Sequence, residues 1–260
     1  MRIALGVAYR GSAYRGWQSQ PEGRTVQDHV DGALSAFAAR PVRCVCAGRT
    51  DAGVHALNQV VHFDAPVERS ADGWVRGTNR FLPDDIAVQW CRSVPDTFHA
   101  RASAIRRRYA YLLLVAPVRP ALEKGMVGWT FRSLDESALR QAASILVGTH
   151  DFTAFRSAEC QARSPVKTLH RIDLSQRGDY WRVDFEANAY LHHMIRNIMG
   201  CLVAVGSGVR PVSWLADVLA SRDRSTAAAT FSPAGLYFVG PYYDPVHAIP
   251  ETTAAMSWLP

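Results

Sequence analysis

The apolar positions of this chain change period repeatedly, and each change marks an element. Ile3 to Tyr9 is a short apolar run that predicts a strand. Arg10 to Gln18, punctuated by Gly11 and Gly16, predicts a hairpin or exposed loop. No Gly-Lys-Ser/Thr follows it, which argues against a phosphate-binding loop. Thr25 then stands three residues before Asp28, an acidic variant of the capping box. Val26, Val30, Ala33, Leu34 and Phe37 recur behind it at helical spacing. Val42–Cys46, Asn58–Phe63 and Asp84–Trp90 read as strands.

The second half repeats the plan. Tyr109–Val115 is a long apolar strand. Ser133 and Glu136 form a second capping box, opening a helix that runs to Gly148. Ile172–Leu174 and Trp181–Asn188 show the two-residue period of strands. Leu191 to Val205 predicts a helix with Leu191, Met194, Ile195, Ile198, Leu202 and Val205 facing the core and Gly206 as its stop. Ser213 is expected to cap a short helix to Ala220, and Leu236–Val239 is the last strand.

Strand, helix, strand, strand thus occurs in each half. The pattern predicts an α+β fold of two similar strand-helix-strand domains, residues 1–103 and 104–260, divided near the basic stretch Arg101 to Arg108. Several strands follow one another with no helix between them, so mainly antiparallel sheets are expected. The final fifteen or so residues are expected to be loosely held.

Composition narrows the class. The chain has 260 residues, 48% of them hydrophobic and 20% charged, as in folded soluble proteins. No apolar run approaches a membrane span, and the patch from Ile3 to Ala8 is too short for a signal peptide. A cytoplasmic protein is expected. The five cysteines are scattered without Cys-x-x-Cys or matched histidine spacing, which predicts free thiols and no metal site.

The net charge is +6, the pI is about 9.3, and only Lys124 and Lys167 among the 29 basic residues are lysines. Arginine forks match phosphate oxygens and stack on bases, so a polyanionic partner is consistent with this bias. An alanine-rich genomic composition accounts for the same bias without any partner.

Three segments could carry chemistry. In Gly48-Arg49-Thr50-Asp51-Ala52-Gly53-Val54-His55, a strand end leads into a glycine-flanked turn holding one carboxylate beside one guanidinium. A plain turn in which Asp51 bonds its own backbone fits these residues as well. In Arg106-Arg107-Arg108-Tyr109-Ala110-Tyr111, a basic run precedes two tyrosines on one strand face, which suits RNA and equally suits a solvated charge run entering a core strand. In Tyr190 to Gly200, Arg196 and Asn197 fall off the apolar stripe. His192 and Arg196 share a helical face, as do His193 and Asn197; an ordinary amphipathic helix has the same pattern.

Together these segments resemble the tRNA pseudouridine synthase A family. Gly48–His55 resembles its catalytic loop. Gly16-Trp17-Gln18, Asn79–Pro83, Phe98–Arg101, Arg108–Tyr111, Asp151-Phe152, Met194–Asn197 and Gly235–Tyr237 resemble family landmarks in family order over nearly the whole chain. The resemblance implies two α+β domains with joined sheets and a basic central cleft. It implies a homodimer that acts on the tRNA anticodon arm, turning uridines 38, 39 and 40 into pseudouridine without cofactor or metal. Residue by residue, it makes Asp51 the catalytic carboxylate and Arg49 the arginine that displaces the target base. Tyr109 becomes the tyrosine that stacks on the base, Arg196 the basic partner of the carboxylate and Leu236 an apolar pocket residue. Arg10 departs from the pattern, standing where the family has an acid after the first-strand tyrosine.

Overall fold

The computed structural model describes residues 1–251. Most of the segment expected to be loosely held lies outside them. The chain is α+β and forms two compact units, one made of Met1–Arg108 with the described residues from Tyr237 onward, the other of Tyr109–Leu236. The last strand therefore belongs with the N-terminal unit, whereas the sequence pattern kept it with residues 104–260. The reason is packing: the Tyr237 ring stacks on His55 and the Tyr243 hydroxyl donates to the Ala100 carbonyl at 2.6 Å.

In unit 1, β1 (Arg2–Tyr9) lies between β3 (His55–Asp64) and β4 (Ile86–Val94), antiparallel to both. The two-residue β2 (Val45–Cys46) pairs with β3, and β10 (Leu236–Tyr242) runs parallel to it, aligning Tyr237 with His55. The first helix, α1 (Val26–Ala38), starts where expected: the Thr25 side chain accepts the Asp28 N–H, and the Asp28 carboxylate accepts the Thr25 N–H. Val26, Val30, Ala33, Leu34 and Ala38 form its buried face.

A second helix, α2 (Ala71–Asn79), has no counterpart in the sequence pattern. Gly73 and Gly77 interrupt its apolar period and leave Trp74 as its main core residue. Gly77 has a structural role, since a Cβ there would lie 2.0 Å from the Phe37 ring of α1. Two further expectations are corrected here. Only Val45–Cys46 of Val42–Cys46 is strand. Arg10–Gln18 is no exposed loop, because Tyr14 and Trp17 are buried around a short 3₁₀ turn at Gly11–Ala13.

In unit 2 the strands run in the order β5 (Arg106–Val115), β9 (Tyr180–Ala187), β8 (Val166–Arg177), β7 (Gly148–Asp151). β6 (Gly128–Thr130) pairs parallel with β5. Neither β6 nor β7 was expected, and β8 is much longer than Ile172–Leu174 because most of its outward positions are polar. The helix α3 (Glu136–Leu146) is capped by Asp135, whose carboxylate accepts the Ala138 N–H at 2.7 Å. The expected Ser133 capping box does not form; the helix ends at Leu146, two residues before Gly148, which has φ of 121° and also opens β7.

The helix α4 (Met194–Gly206) begins three residues later than expected, after His193 in the left-handed region. His192 and His193 therefore precede the helix, and the shared faces with Arg196 and Asn197 do not exist. The helix α5 (Val212–Ser221) starts after Pro211, with no side-chain cap, so Ser213 is not its N-cap.

One buried histidine is expected to make unit 1 acid-sensitive. His62 is 5% exposed, and its Nδ1 accepts the Ala100 N–H at 3.1 Å. Burial, then the neighbouring His99 and Arg2, holds its pKa down to about 4 from 6.5, against a smaller opposing effect of Asp64. A histidine depressed on folding contributes stability that is complete above its unfolded pKa and is lost as pH falls toward the folded one. Stability is therefore expected to drop between pH 6.5 and about 4, by up to about 3 kcal/mol. Denaturant melts across that range should show the slope, and His62→Gln should flatten it.

Candidate active site

Asp51 sits in unit 1 on a loop fixed from several sides. The strand β3 starts at His55, so the Gly48–Val54 segment is held directly at a strand end. The Val54 N–H donates to the Asp51 carbonyl at 3.1 Å, closing a turn that Gly53 completes with φ of 80°. The Trp17 N–H donates to the Thr50 carbonyl at 3.0 Å. Close approach here requires glycine: a Cβ on Gly16, whose φ is 85°, would lie 2.6 Å from the Thr50 carbonyl oxygen. Gly11 is similar, since a Cβ there would meet the Val54 carbonyl at 1.9 Å.

Within this frame Thr50 points inward and is buried, while Asp51 is half-buried and Arg49 is exposed. The loop thus turns one charged side chain to solvent and leaves its carboxylate partly accessible. The side of the loop toward β3 is closed by His55, which is 2% exposed. Its Nδ1 accepts the Gly11 N–H at 3.2 Å, and its ring stacks on Tyr237 with centroids 4.6 Å apart. Burial, eased slightly by Arg10, pushes the Tyr237 pKa up, so this ring remains a neutral phenol. Arg10, the departure from the family pattern, is exposed.

The other expected site residues, Tyr109, Arg196 and Leu236, lie in unit 2. Tyr109, on β5, is 8% exposed, with its ring edge-to-face against Tyr190 at 5.1 Å. Tyr111, sharing its strand face, is a core residue whose hydroxyl donates to the Ser232 carbonyl at 2.8 Å. Leu236 is buried at the start of β10.

Arg196 is half-buried in the first turn of α4, and its Nε donates to the Phe231 carbonyl at 2.9 Å. The Phe231 N–H returns a bond to the Arg196 carbonyl at 3.1 Å. Residues 224–231 are in turn tied to α4 by Asn197, which is fully buried, contrary to its reading as a polar-face residue. Its Oδ1 accepts from Arg224 Nη2 at 3.1 Å and Thr230 Oγ1 at 2.7 Å, and its Nδ2 donates to the Phe155 carbonyl at 2.8 Å. Gly200 completes the dock, as a Cβ there would meet the Ala229 carbonyl at 2.3 Å. Asn197→Ala leaves the buried Phe155 carbonyl without this donor and removes the acceptor shared by Arg224 and Thr230, so a loss of about 1–3 kcal/mol is expected on thermal or urea unfolding.

Tyr9 and Gln59, which support the loop through Thr50 and Gly48, lie outside the motif that the sequence shows. One signal was present: the polar pair Asn58-Gln59 stands between Leu57 and Val60 in an otherwise mostly apolar strand, and both are buried.

The family of tRNA pseudouridine synthases matches residues 6–101 and 142–244, a span that contains the Asp51 loop and Arg196. The tRNA pseudouridine synthase A of Methylibium petroleiphilum is 67% identical over 260 residues, covering 100% of both chains. Those of Polaromonas naphthalenivorans and of a second Polaromonas strain are 64% and 63% identical over 264 residues, again covering 100% of each chain. This chain belongs to the tRNA pseudouridine synthase family and is an isomerase. Among the described residues, no helix is long and apolar enough to cross a membrane.

Proposed function

We propose that the chain converts uridine to pseudouridine at positions 38, 39 and 40 of the tRNA anticodon stem-loop, with Asp51 as the catalytic carboxylate. The observation that carries this reading is the built presentation of Asp51: a carboxylate left partly accessible by a turn whose neighbours are fixed by buried main-chain bonds. A plain Asx turn has no need of two glycines packed against its backbone. Full-length relatives named tRNA pseudouridine synthase A support the same reading.

The reaction breaks the bond from uracil N1 to the ribose C1′, turns the base, and joins C5 to C1′. The C5 proton moves to solvent or a base, and N1 gains one, so the nucleotide mass is unchanged. A target within a stem must leave the stack, at a cost of a few kcal/mol that stacking on an aromatic ring offsets in part. In this proposal Arg49, exposed beside Asp51, enters the vacated space and Tyr109 stacks on the base. Arg196 supplies the cationic partner of the carboxylate, and Leu236 lines the pocket. Asp51 acts on the sugar or the base as carboxylates do in glycosyl chemistry, as nucleophile or proton acceptor.

The protein is further proposed to work in the cytoplasm as a homodimer, gripping tRNA phosphates through its arginines. The test is a map of pseudouridine in tRNA from cells lacking this protein. Loss confined to positions 38 to 40 is expected; intact modification there with loss elsewhere would assign another target.

A further inference from the structure

The floor beneath residues 48–51 carries three polar side chains where an apolar core would otherwise continue: Tyr9 is 5%, Thr50 7% and Gln59 0% exposed. Their bonds form a connected chain. Gln59 Oε1 accepts the Gly48 N–H at 3.4 Å, and its Nε2 donates to the Gly48 carbonyl at 2.5 Å, which settles which end of the amide faces which group. The same amide side chain also bonds the Tyr9 hydroxyl. The Tyr9 hydroxyl and Thr50 Oγ1 share a hydrogen bond of 2.7 Å. Burial pushes the Tyr9 pKa up, so the phenol stays protonated.

Gln59 thus holds residue 48 by both its main-chain groups, and Tyr9 holds residue 50 by its side chain. The Thr50 carbonyl is held as well, by the Trp17 N–H. Replacing both partners of a buried hydrogen bond by apolar groups of the same shape is close to neutral for stability. Gln59 satisfies main-chain groups of Gly48 that need a partner in any case, but cohesion alone does not call for the Tyr9–Thr50 hydroxyl pair, whereas fixing residue 50 between Arg49 and Asp51 does.

We propose that Tyr9 and Thr50, aligned by Gln59, are positioning residues that set the Asp51 carboxylate for the chemical step. This rests on the reading of Asp51 as the catalytic group. The test measures kcat, KM and tRNA affinity for Tyr9→Phe, Thr50→Val, Thr50→Ser and Asp51→Asn on an anticodon-arm transcript, with a melting curve for each. A displacement of the reacting group by about 1 Å can cost about 100-fold in rate. Tyr9→Phe and Thr50→Val are therefore expected to lose about 10- to 100-fold in kcat, with KM and affinity within about twofold. Thr50→Ser keeps the hydroxyl and is expected to stay within about threefold of the parent kcat.

Either Tyr9→Phe or Thr50→Val decides the matter if the other fails to fold. The inference is overturned if the folded variant turns over at the parent rate, if its loss lies in KM and affinity, or if Thr50→Ser falls as far as Thr50→Val. An active Asp51→Asn would remove the catalytic reading itself, whereas an inactive Asp51→Asn beside fully active Tyr9→Phe and Thr50→Val would remove the positioning alone.

Discussion

Asp51→Asn is expected to lower turnover by at least about 10³-fold while the protein still folds and binds tRNA. The substitution is nearly isosteric. The main-chain bond from the Val54 N–H to the Asp51 carbonyl does not depend on the side chain, so the turn should survive. The amide lacks the nucleophilicity and proton affinity of a carboxylate, and the reaction as proposed has no second acid in the loop to replace it. Kinetics on an anticodon-arm transcript, with binding measured separately, distinguish this from a lost contact: a catalytic group shows its loss in kcat, a binding group in KM. A variant that converts uridine at near the parent rate would remove Asp51 from the chemistry.

The second large effect is expected at a residue that touches no substrate in this account. Gly16→Ala forces a Cβ to within 2.6 Å of the Thr50 carbonyl oxygen and 3.1 Å of the Ala52 nitrogen, both backbone atoms that cannot rotate aside. Its φ of 85° adds strain for any L side chain. Overpacking of this kind costs about 1–3 kcal/mol, and the positive φ adds to it. Relief of the clash requires the Asp51 loop to move, so activity should fall by up to about 100-fold even where the variant remains folded. Gly23→Ala is the matched control: its φ of 64° brings similar backbone strain, but no atom lies within 4 Å of a Cβ placed there. It should lose stability without losing kcat. Equal kcat in the two variants would show that the contact between Gly16 and the loop is irrelevant to function.

How far the sequence reveals this structure depends on whether the deciding interactions are local. The capping box of Thr25 and Asp28 is local, and α1 begins where it predicts. Asp135 lies two residues from the expected Ser133 cap, and either oxygen could serve; packing of the helix decides, and the sequence pattern does not contain that. α2 escapes notice because its glycines serve the Phe37 contact with another helix and thereby erase its own period. Asn197 has the spacing of a polar-face residue, since an isolated helix offers it only water. Its partners Arg224, Thr230 and Phe155 come from distant segments, and they turn a polar position into a core one.

The candidate site divides in the same way. The Asp51 loop is legible as a motif, because glycine, arginine, threonine and aspartate are adjacent in the chain. Its support is not legible, because Tyr9 and Gln59 reach the loop only after β1 and β3 pair. The late start of α4 was likewise hidden: His193 adopts a left-handed backbone, φ of 63°, that helical spacing gives no reason to expect.

The measurement that tests the central claim most directly is the product of the purified protein acting on an anticodon-arm transcript with uridine at positions 38 to 40. The account predicts pseudouridine at those positions, RNA of unchanged mass, no free uracil, and no product from Asp51→Asn. Release of free uracil, or conversion that persists in Asp51→Asn, would contradict it.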